Sequence, residues 1–163
     1  MEELIIVGKV INFFGIKGEL KIKSDFDKLD RIFKVGNYIL INNEELKITS
    51  VRYHKNNILI RVNDINDINE VTKYIGYNVY FKKEDLNLES DEYILEDLLG
   101  ALVKDKDIIL GEVIEVYTTN NTNYIKVKNK DKTFLIPLID NYIDHFDKEA
   151  KILYTLNGQS LSL

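Results

Sequence analysis

Apolar and polar positions alternate with a period of two along much of this chain, which predicts strands with one buried face. Glu19-Leu20-Lys21-Ile22-Lys23 alternates strictly, and Leu4 to Ile11 is an apolar run rich in β-branched residues. Tyr38-Ile39-Leu40-Ile41 stops at Asn42-Asn43, a turn signal. Leu46 to Tyr53 and Ile58 to Val62 flank His54-Lys55-Asn56-Asn57, which reads as a hairpin turn. Two short helices interrupt the strands. Ser24 or Asp25 is placed to cap a turn through Asp30, and Asp67 to cap Ile68 to Tyr74, with Gly76 near its end. Asn78-Val79-Tyr80-Phe81 closes this half as a last strand. About six strands at this spacing predict a small closed barrel rather than a parallel sheet.

The alternation stops at Lys82 to Glu92, where five acids stand against two lysines. This is the natural boundary, and it divides the chain into an N-terminal domain over residues 1–83, an acidic linker over 84–92 and a C-terminal domain over 93–163.

Beyond the boundary the period of two returns. Ala101 to Lys104 leads into a turn at Asp105-Lys106-Asp107, and Leu110 to Tyr117 alternates from Glu112 onward. Thr118 to Thr122 is a polar loop. Tyr124 to Lys128 alternates and turns at Asn129 to Lys132. Thr133 to Ile136 is stopped by Pro137, the single proline, which has no amide proton to give a sheet. Lys151 to Leu156 makes a last strand. This half reads as a β meander, again a small barrel. The fold class is therefore mostly β, two small β-barrel domains with few short helices.

Composition narrows the picture. In 163 residues, 45% hydrophobic content is enough for real cores, and no apolar run reaches the roughly 18 residues of a membrane span. The start, Met1-Glu2-Glu3 running straight into a strand pattern, does not read as a signal peptide. With no cysteine there is no disulfide framework, thiolate metal site or cysteine nucleophile. The expected location is cytoplasmic, with no membrane partner, and the Ile, Asn and Lys bias is the one AT-rich codons favour.

Charge is distributed unevenly. Residues 1–85 hold 14 Lys and Arg against 13 Asp and Glu, and residues 86–163 hold 8 against 14, so net charges of +1 and −6 sum to the −5 of the whole chain. All three arginines, Arg31, Arg52 and Arg61, lie in the first half. An acidic second half is a poor binder of bare nucleic acid but suits a basic protein partner. Surface acids that only keep the domain soluble fit the same charge.

Catalytic signatures are absent. His54 and His145 have no second histidine or cysteine at metal-ligand spacing, and the phosphate-loop, dinucleotide and serine-elbow patterns are missing. The expectation is a binding protein with no catalytic residues, no metal and no cofactor. Three segments carry more than generic strand pattern. Gly15 and Gly18 flank Ile16-Lys17 between two strands, so Lys17 projects from a turn with Lys9, Lys21 and Lys23 close in sequence. That arrangement fits contact with RNA phosphate or a partner, and equally a hairpin whose glycines only make the turn. Asp91 to Gly100 is short and amphipathic, suited to a binding hot spot or to plain packing at the domain joint. Leu110 to Val116 and Phe134 to Ile139 read as core strands.

In this order, the segments resemble the RimM family of ribosome maturation factors. The family pattern of a Val-Gly-Lys strand and a His-Gly-hydrophobic-Lys-Gly-Glu turn is met by Val7-Gly8-Lys9 and Phe14-Gly15-Ile16-Lys17-Gly18-Glu19. Asp64 to Gly76, with Asp67-Ile68-Asn69-Glu70 opening a helix, resembles the family's helix before its last N-domain strand. The central Tyr-Tyr-x-x-Asp-Leu-hydrophobic-Gly motif maps onto Tyr93 to Gly100. The Leu-Gly-x-Val and Leu-Ile-Pro strands complete a resemblance that spans essentially the whole chain. It implies a translation-factor-like N-terminal barrel and a PRC-type C-terminal barrel. It also implies a monomeric, non-enzymatic assembly factor for the immature small ribosomal subunit. Its implied partners are a basic head protein, the nineteenth of that subunit (uS19), and the precursor subunit with its 16S rRNA, whose head folding and processing it assists.

Carried over residue by residue, the resemblance implies ribosomal-protein binding by Tyr93, Ile94, Asp97 and Leu98, and RNA or subunit contact by Phe14, Lys17 and Lys21. Two positions depart from the family. Phe14 replaces its histidine, which leaves an aromatic role and removes a polar one. Ile94 replaces the second tyrosine: a phenol packs and donates a hydrogen bond, whereas isoleucine only packs, a loss of apolar area of about 1 kcal/mol. Tyr93 is therefore the expected anchor. Two rival functions are a PRC-barrel scaffold or adaptor for an unrelated protein, which leaves the glycine-lysine turn unexplained, and an RNA-processing enzyme, which lacks catalytic groups.

Overall fold

A computed structural model describes residues 2–162 and divides the chain into two compact units, residues 1–87 and 88–163. In the first unit six strands form β1 (Leu4–Phe14), β2 (Glu19–Lys23), β3 (Tyr38–Ile41), β4 (Glu44–His54), β5 (Asn57–Val62) and β6 (Asn78–Lys82). They close in the order β1-β2-β5-β4-β3-β6, with β6 pairing antiparallel back onto β1. Closure removes both sheet edges. Alternation fills the interior with Val10, Leu20, Ile22, Ile39, Ile41, Ile48, Ile58, Ile60, Val79 and Phe81, all buried.

Two-residue turns set the registers. Asn42 and Asn43 both take positive φ (52° and 65°), as a type I′ hairpin requires, and asparagine tolerates that region best after glycine. Gly18 has φ +77°, and a Cβ there would lie 3.1 Å from the Asp67 carbonyl, so the β1–β2 turn rests directly on the backbone of Asp67. Helix α2 (Ile68–Val71) continues as a 3-10 turn through Tyr74, and Asp67 Oδ1 accepts the Asn69 amide at 3.0 Å. Tyr74 is buried and donates to Glu44 Oε2 at 2.5 Å. Burial and then this carboxylate push the Tyr74 phenol well above its usual range.

The other predicted helix forms later than the sequence suggests. Helix α1 spans Leu29–Ile32 and starts at Lys28, without a side-chain cap. Ser24 does not cap it, because its hydroxyl donates to the Val7 carbonyl of β1 and accepts the Phe26 amide. Lys83–Leu86 of the acidic stretch is a 3-10 helix with Leu86 buried.

The second unit holds β7 (Leu102–Asp105), β8 (Ile108–Thr119), β9 (Thr122–Asn129), β10 (Lys132–Pro137), β11 (Ile143–Asp147) and β12 (Ile152–Thr155), with helix α3 (Gly158–Leu161) after them. The expected loop at Thr118 to Thr122 is only Asn120-Asn121, again two positive-φ asparagines. The sheet order is β10-β9-β8-β7-β12-β11. This is not a pure meander, because β12 runs parallel to β7 and carries β11 to the outside. Strands β10 and β11 are the two edges of the ladder.

Leu98, Ala101, Val103, Leu110, Val113, Ile125, Val127, Ile136 and Leu153 form the core of this unit. Gly111 is forced by the close approach of β8 to β9. Its φ is +145°, and a Cβ would run into the Lys128 carbonyl.

Candidate functional site

The segment entering the second unit is built to fix Tyr93. Glu89 and Glu92 close a turn through the Glu92 amide on the Glu89 carbonyl (3.0 Å) and the Glu89 amide on Glu92 Oε1 (2.9 Å). The next turn, Leu95–Leu98, is a 3-10 helix held by Asp97, whose Oδ2 accepts the Ile94 amide at 3.0 Å. Leu98 is 0% exposed in the core and Ile94 is 1% exposed. These two therefore have almost no surface to give a partner, contrary to the expectation that they line a contact. An aliphatic side chain in an amphipathic turn goes to the apolar interior when one is within reach. Asp97 positions the backbone of the turn. Tyr93 remains half-buried, packed on the core.

The Tyr93 ring meets Phe146 of β11 edge-to-face, with centroids 5.2 Å apart and planes at 68°. The pair lies in a cleft of about 470 Å³ whose lining includes Asp91, Asp144, Asp147 and Glu149. Its one lysine, Lys148, is occupied on the Glu89 carbonyl at 3.1 Å. His145 stacks on Tyr154 at 4.7 Å, with Nδ1 2.9 Å from Asp144 Oδ2. An aromatic floor ringed by carboxylates, on the edge strand of a sheet, suits a basic extended segment. The aliphatic stem of a lysine or arginine packs on the rings while its head meets the acids. The sequence reading missed Phe146 and the β11 acids. Their signal was the alternation Ile143-Asp144-His145-Phe146-Asp147, interrupted by a bulge between Ile143 and His145.

In the first unit the three expected contact residues share one outer face. Val10 and Ile22 pair inward, so Lys9 opposite Lys23, Asn12 opposite Lys21 and Phe14 opposite Glu19 project outward. Lys17 is exposed in the turn. Two unpredicted residues join Phe14: the Arg52 guanidinium lies 5.2 Å from its ring centroid, and the His54 ring 5.0 Å away. Arg52 is held by a two-pronged bond to Glu19, Nε to Oε2 at 2.9 Å and Nη2 to Oε1 at 2.8 Å. That bond, ahead of the opposing effect of burial, keeps the Glu19 carboxyl below its usual range. No local sequence signal joins the β1 end to the β4–β5 hairpin; the pairing of β2 with β5 does.

Among the described residues no group of three or more His, Cys, Asp or Glu is placed to hold a metal ion, and no helix is long and apolar enough to cross a membrane.

Two β-rich units, one with an acidic aromatic cleft and one with a basic aromatic face, define a two-domain, mostly β protein. Residues 5–86 match the RimM N-terminal domain and residues 95–157 the RimM PRC barrel domain. The chain is 35% identical over 154 residues to Ribosome maturation factor RimM of Staphylococcus haemolyticus (strain JCSC1435), covering 90% of this chain and 92% of that protein. Ribosome maturation factor RimM of Clostridium perfringens (strain SM101 / Type A) is 28% identical over 155 residues, covering 94% and 93%. The solution structure of the N-terminal domain of RimM from Thermus thermophilus aligns with TM-score 0.45 at 14% identity, over 52% of this chain and 94% of that one. The chain belongs to the RimM family of ribosome maturation factors.

Proposed function

We propose that this chain acts in small-subunit assembly by binding, without catalysis, and that its acidic cleft holds a basic protein of the unfinished subunit head, uS19. The observation that carries this reading is the Tyr93–Phe146 pair ringed by Asp91, Asp144, Asp147 and Glu149 on an open sheet edge. Basic ribosomal proteins carry lysine- and arginine-rich segments that are attracted and oriented by such a field. Family membership supplies the context of ribosome maturation and 16S rRNA processing. In this reading the first unit, with its Phe14, Lys17 and Lys21 face, lies against the precursor subunit. Tighter binding to the precursor than to the finished subunit releases the factor as assembly ends, because only differential affinity shifts such an equilibrium.

The test is titration calorimetry of the full chain against purified small-subunit head proteins, with Tyr93→Ala as the control. Selective binding of the basic head protein that is lost in the variant supports the reading. Unchanged binding by Tyr93→Ala removes the cleft as the site. Equal affinity for precursor and mature subunits in sedimentation removes the release step.

A further inference from the structure

The first unit carries an arrangement that its fold does not require. Lys9 and Lys23 stand directly opposite each other on β1 and β2, both outward and both exposed. Like charges at opposed cross-strand positions destabilise a sheet. Among the described residues Lys9, Lys17, Lys21, Lys23 and Lys55 make no ion pair with an acid. Residues 9–23 hold four lysines against Glu19 alone, and Glu19 is already bound to Arg52. The face is therefore a strip of positive charge in which, among the described residues, no lysine is held in an ion pair.

At the turn end of the strip sits the Phe14, Arg52 and His54 group. Arg52 is pinned by both prongs of its bond to Glu19, yet its side chain remains 51% exposed. A guanidinium fixed in this way, with two aromatic rings about 5 Å from one another, offers flat surfaces held in place. Phosphates require only the lysines. A stacking group beside them fits a ligand that is both anionic and aromatic, and whose bases are not already stacked on each other, which describes single-stranded nucleic acid. A folded protein partner would match the charge but has no repeating flat face to set against the cluster.

We infer that the outer face of the β1–β2 hairpin binds single-stranded RNA, with Lys9, Lys17, Lys21 and Lys23 on its phosphates and one base stacked at the Phe14–Arg52–His54 group. The inference rests on the reading that the chain works on a precursor subunit. It adds that the first unit holds an unpaired stretch of the RNA, while the second holds a protein. Contact through stacking is sequence-tolerant, because every base has a flat face.

The experiment is fluorescence anisotropy of a labelled single-stranded RNA dodecamer, and of the same strand in a duplex, titrated with the full chain over a range of salt. Phe14→Leu keeps an apolar side chain and is expected to weaken single-strand binding by at least about fivefold, the lower end of what one stacked base contributes. Phe14→Tyr is expected to bind as the parent does. Lys9→Ala with Lys23→Ala is expected to flatten the slope of log affinity against log salt by about 1.4, at roughly 0.7 per lost single-strand phosphate contact. Thermal melts of each variant separate lost binding from lost fold. Duplex bound as tightly as single strand, or Phe14→Leu binding as the parent does, would overturn the inference. Loss of head-protein affinity in Phe14→Leu without loss of RNA affinity would overturn it too and make the face a protein contact. Head-protein docking that depends on Tyr93, beside RNA binding indifferent to Phe14, would sink this inference alone. RNA binding dependent on Phe14, with no head-protein docking, would sink the docking reading alone.

Discussion

Tyr93 and Phe146 sit edge-to-face at 5.2 Å, although one enters the second unit and the other lies on its edge strand β11. Such a pair contributes about 0.5–1.5 kcal/mol beyond its buried area. It also fixes the floor of the acidic cleft. Removing Tyr93 therefore changes the shape of the cleft as well as its surface. Tyr93→Ala is expected to weaken binding of a basic head protein by about 2 kcal/mol or more, the range of an interface hot spot. Calorimetry reads this directly, and Tyr93→Phe, which keeps the ring, should lose much less.

Asp144 and Asp147 line the same cleft on β11. Rim charges steer encounter more than they hold a complex. Asp144→Asn with Asp147→Asn is expected to lower the association rate several-fold at low salt, with little change in dissociation rate. Stopped-flow kinetics at two ionic strengths checks this, and the difference from the parent should shrink as salt screens the field.

Leu98 is fully buried and Ile94 nearly so, so both act through stability. Leu98→Ala and Ile94→Ala are each expected to destabilise the fold by about 2–5 kcal/mol, from lost burial plus the cavity left behind. Denaturant melts give the value. Binding measured on the fraction that remains folded should stay close to that of the parent.

Gly111 holds φ +145° where β8 passes close to β9. Gly111→Ala meets both a strained backbone and the Lys128 carbonyl, and rigid backbone cannot yield as a flexible side chain would. The expected loss is about 1–3 kcal/mol, seen as a lower melting temperature of the second unit.

The Glu19 carboxyl is held below its ordinary value of 4.5, chiefly by the Arg52 hydrogen bond. Its lowered folded pKa means that the stability it contributes is fully present above the unfolded value. That stability is lost as pH falls through the folded one. The window therefore opens just below 4.5 and extends further into acid. Glu19→Gln should flatten the acid side of the melting-temperature profile there. At neutral pH it should cost only a small amount, because the Arg52 side of the pair is half exposed and screened by solvent. An unchanged acid limb in the variant would show that the Arg52 bond is not formed in solution.

The strands and their turns were legible because both depend on short-range physics. Alternation such as that of Glu19 to Lys23 is enough to make a strand with one wet face, and Asn42-Asn43 is enough to turn it. The Asp67 cap was legible for the same reason, since a cap and its amide lie two residues apart. The acidic bias of the second half and the resemblance carried by Tyr93 to Gly100 were also present in the residues themselves.

Tertiary structure decided what stands next to what. A strand pattern does not say which strand it will pair with. The parallel pairing of β12 with β7, which brings β11 and its acids beside Tyr93, is invisible to any local window. The pairing of β2 with β5 likewise places Arg52 and His54 of β4 against Phe14 of β1. Burial sorted the predicted contact residues as well, sending Ile94 and Leu98 inward and leaving Tyr93 at the surface. Local propensity and alternation choose the elements, whereas side chains distant in sequence meet only once the whole apolar surface has been removed from water, and binding surfaces are made of such meetings.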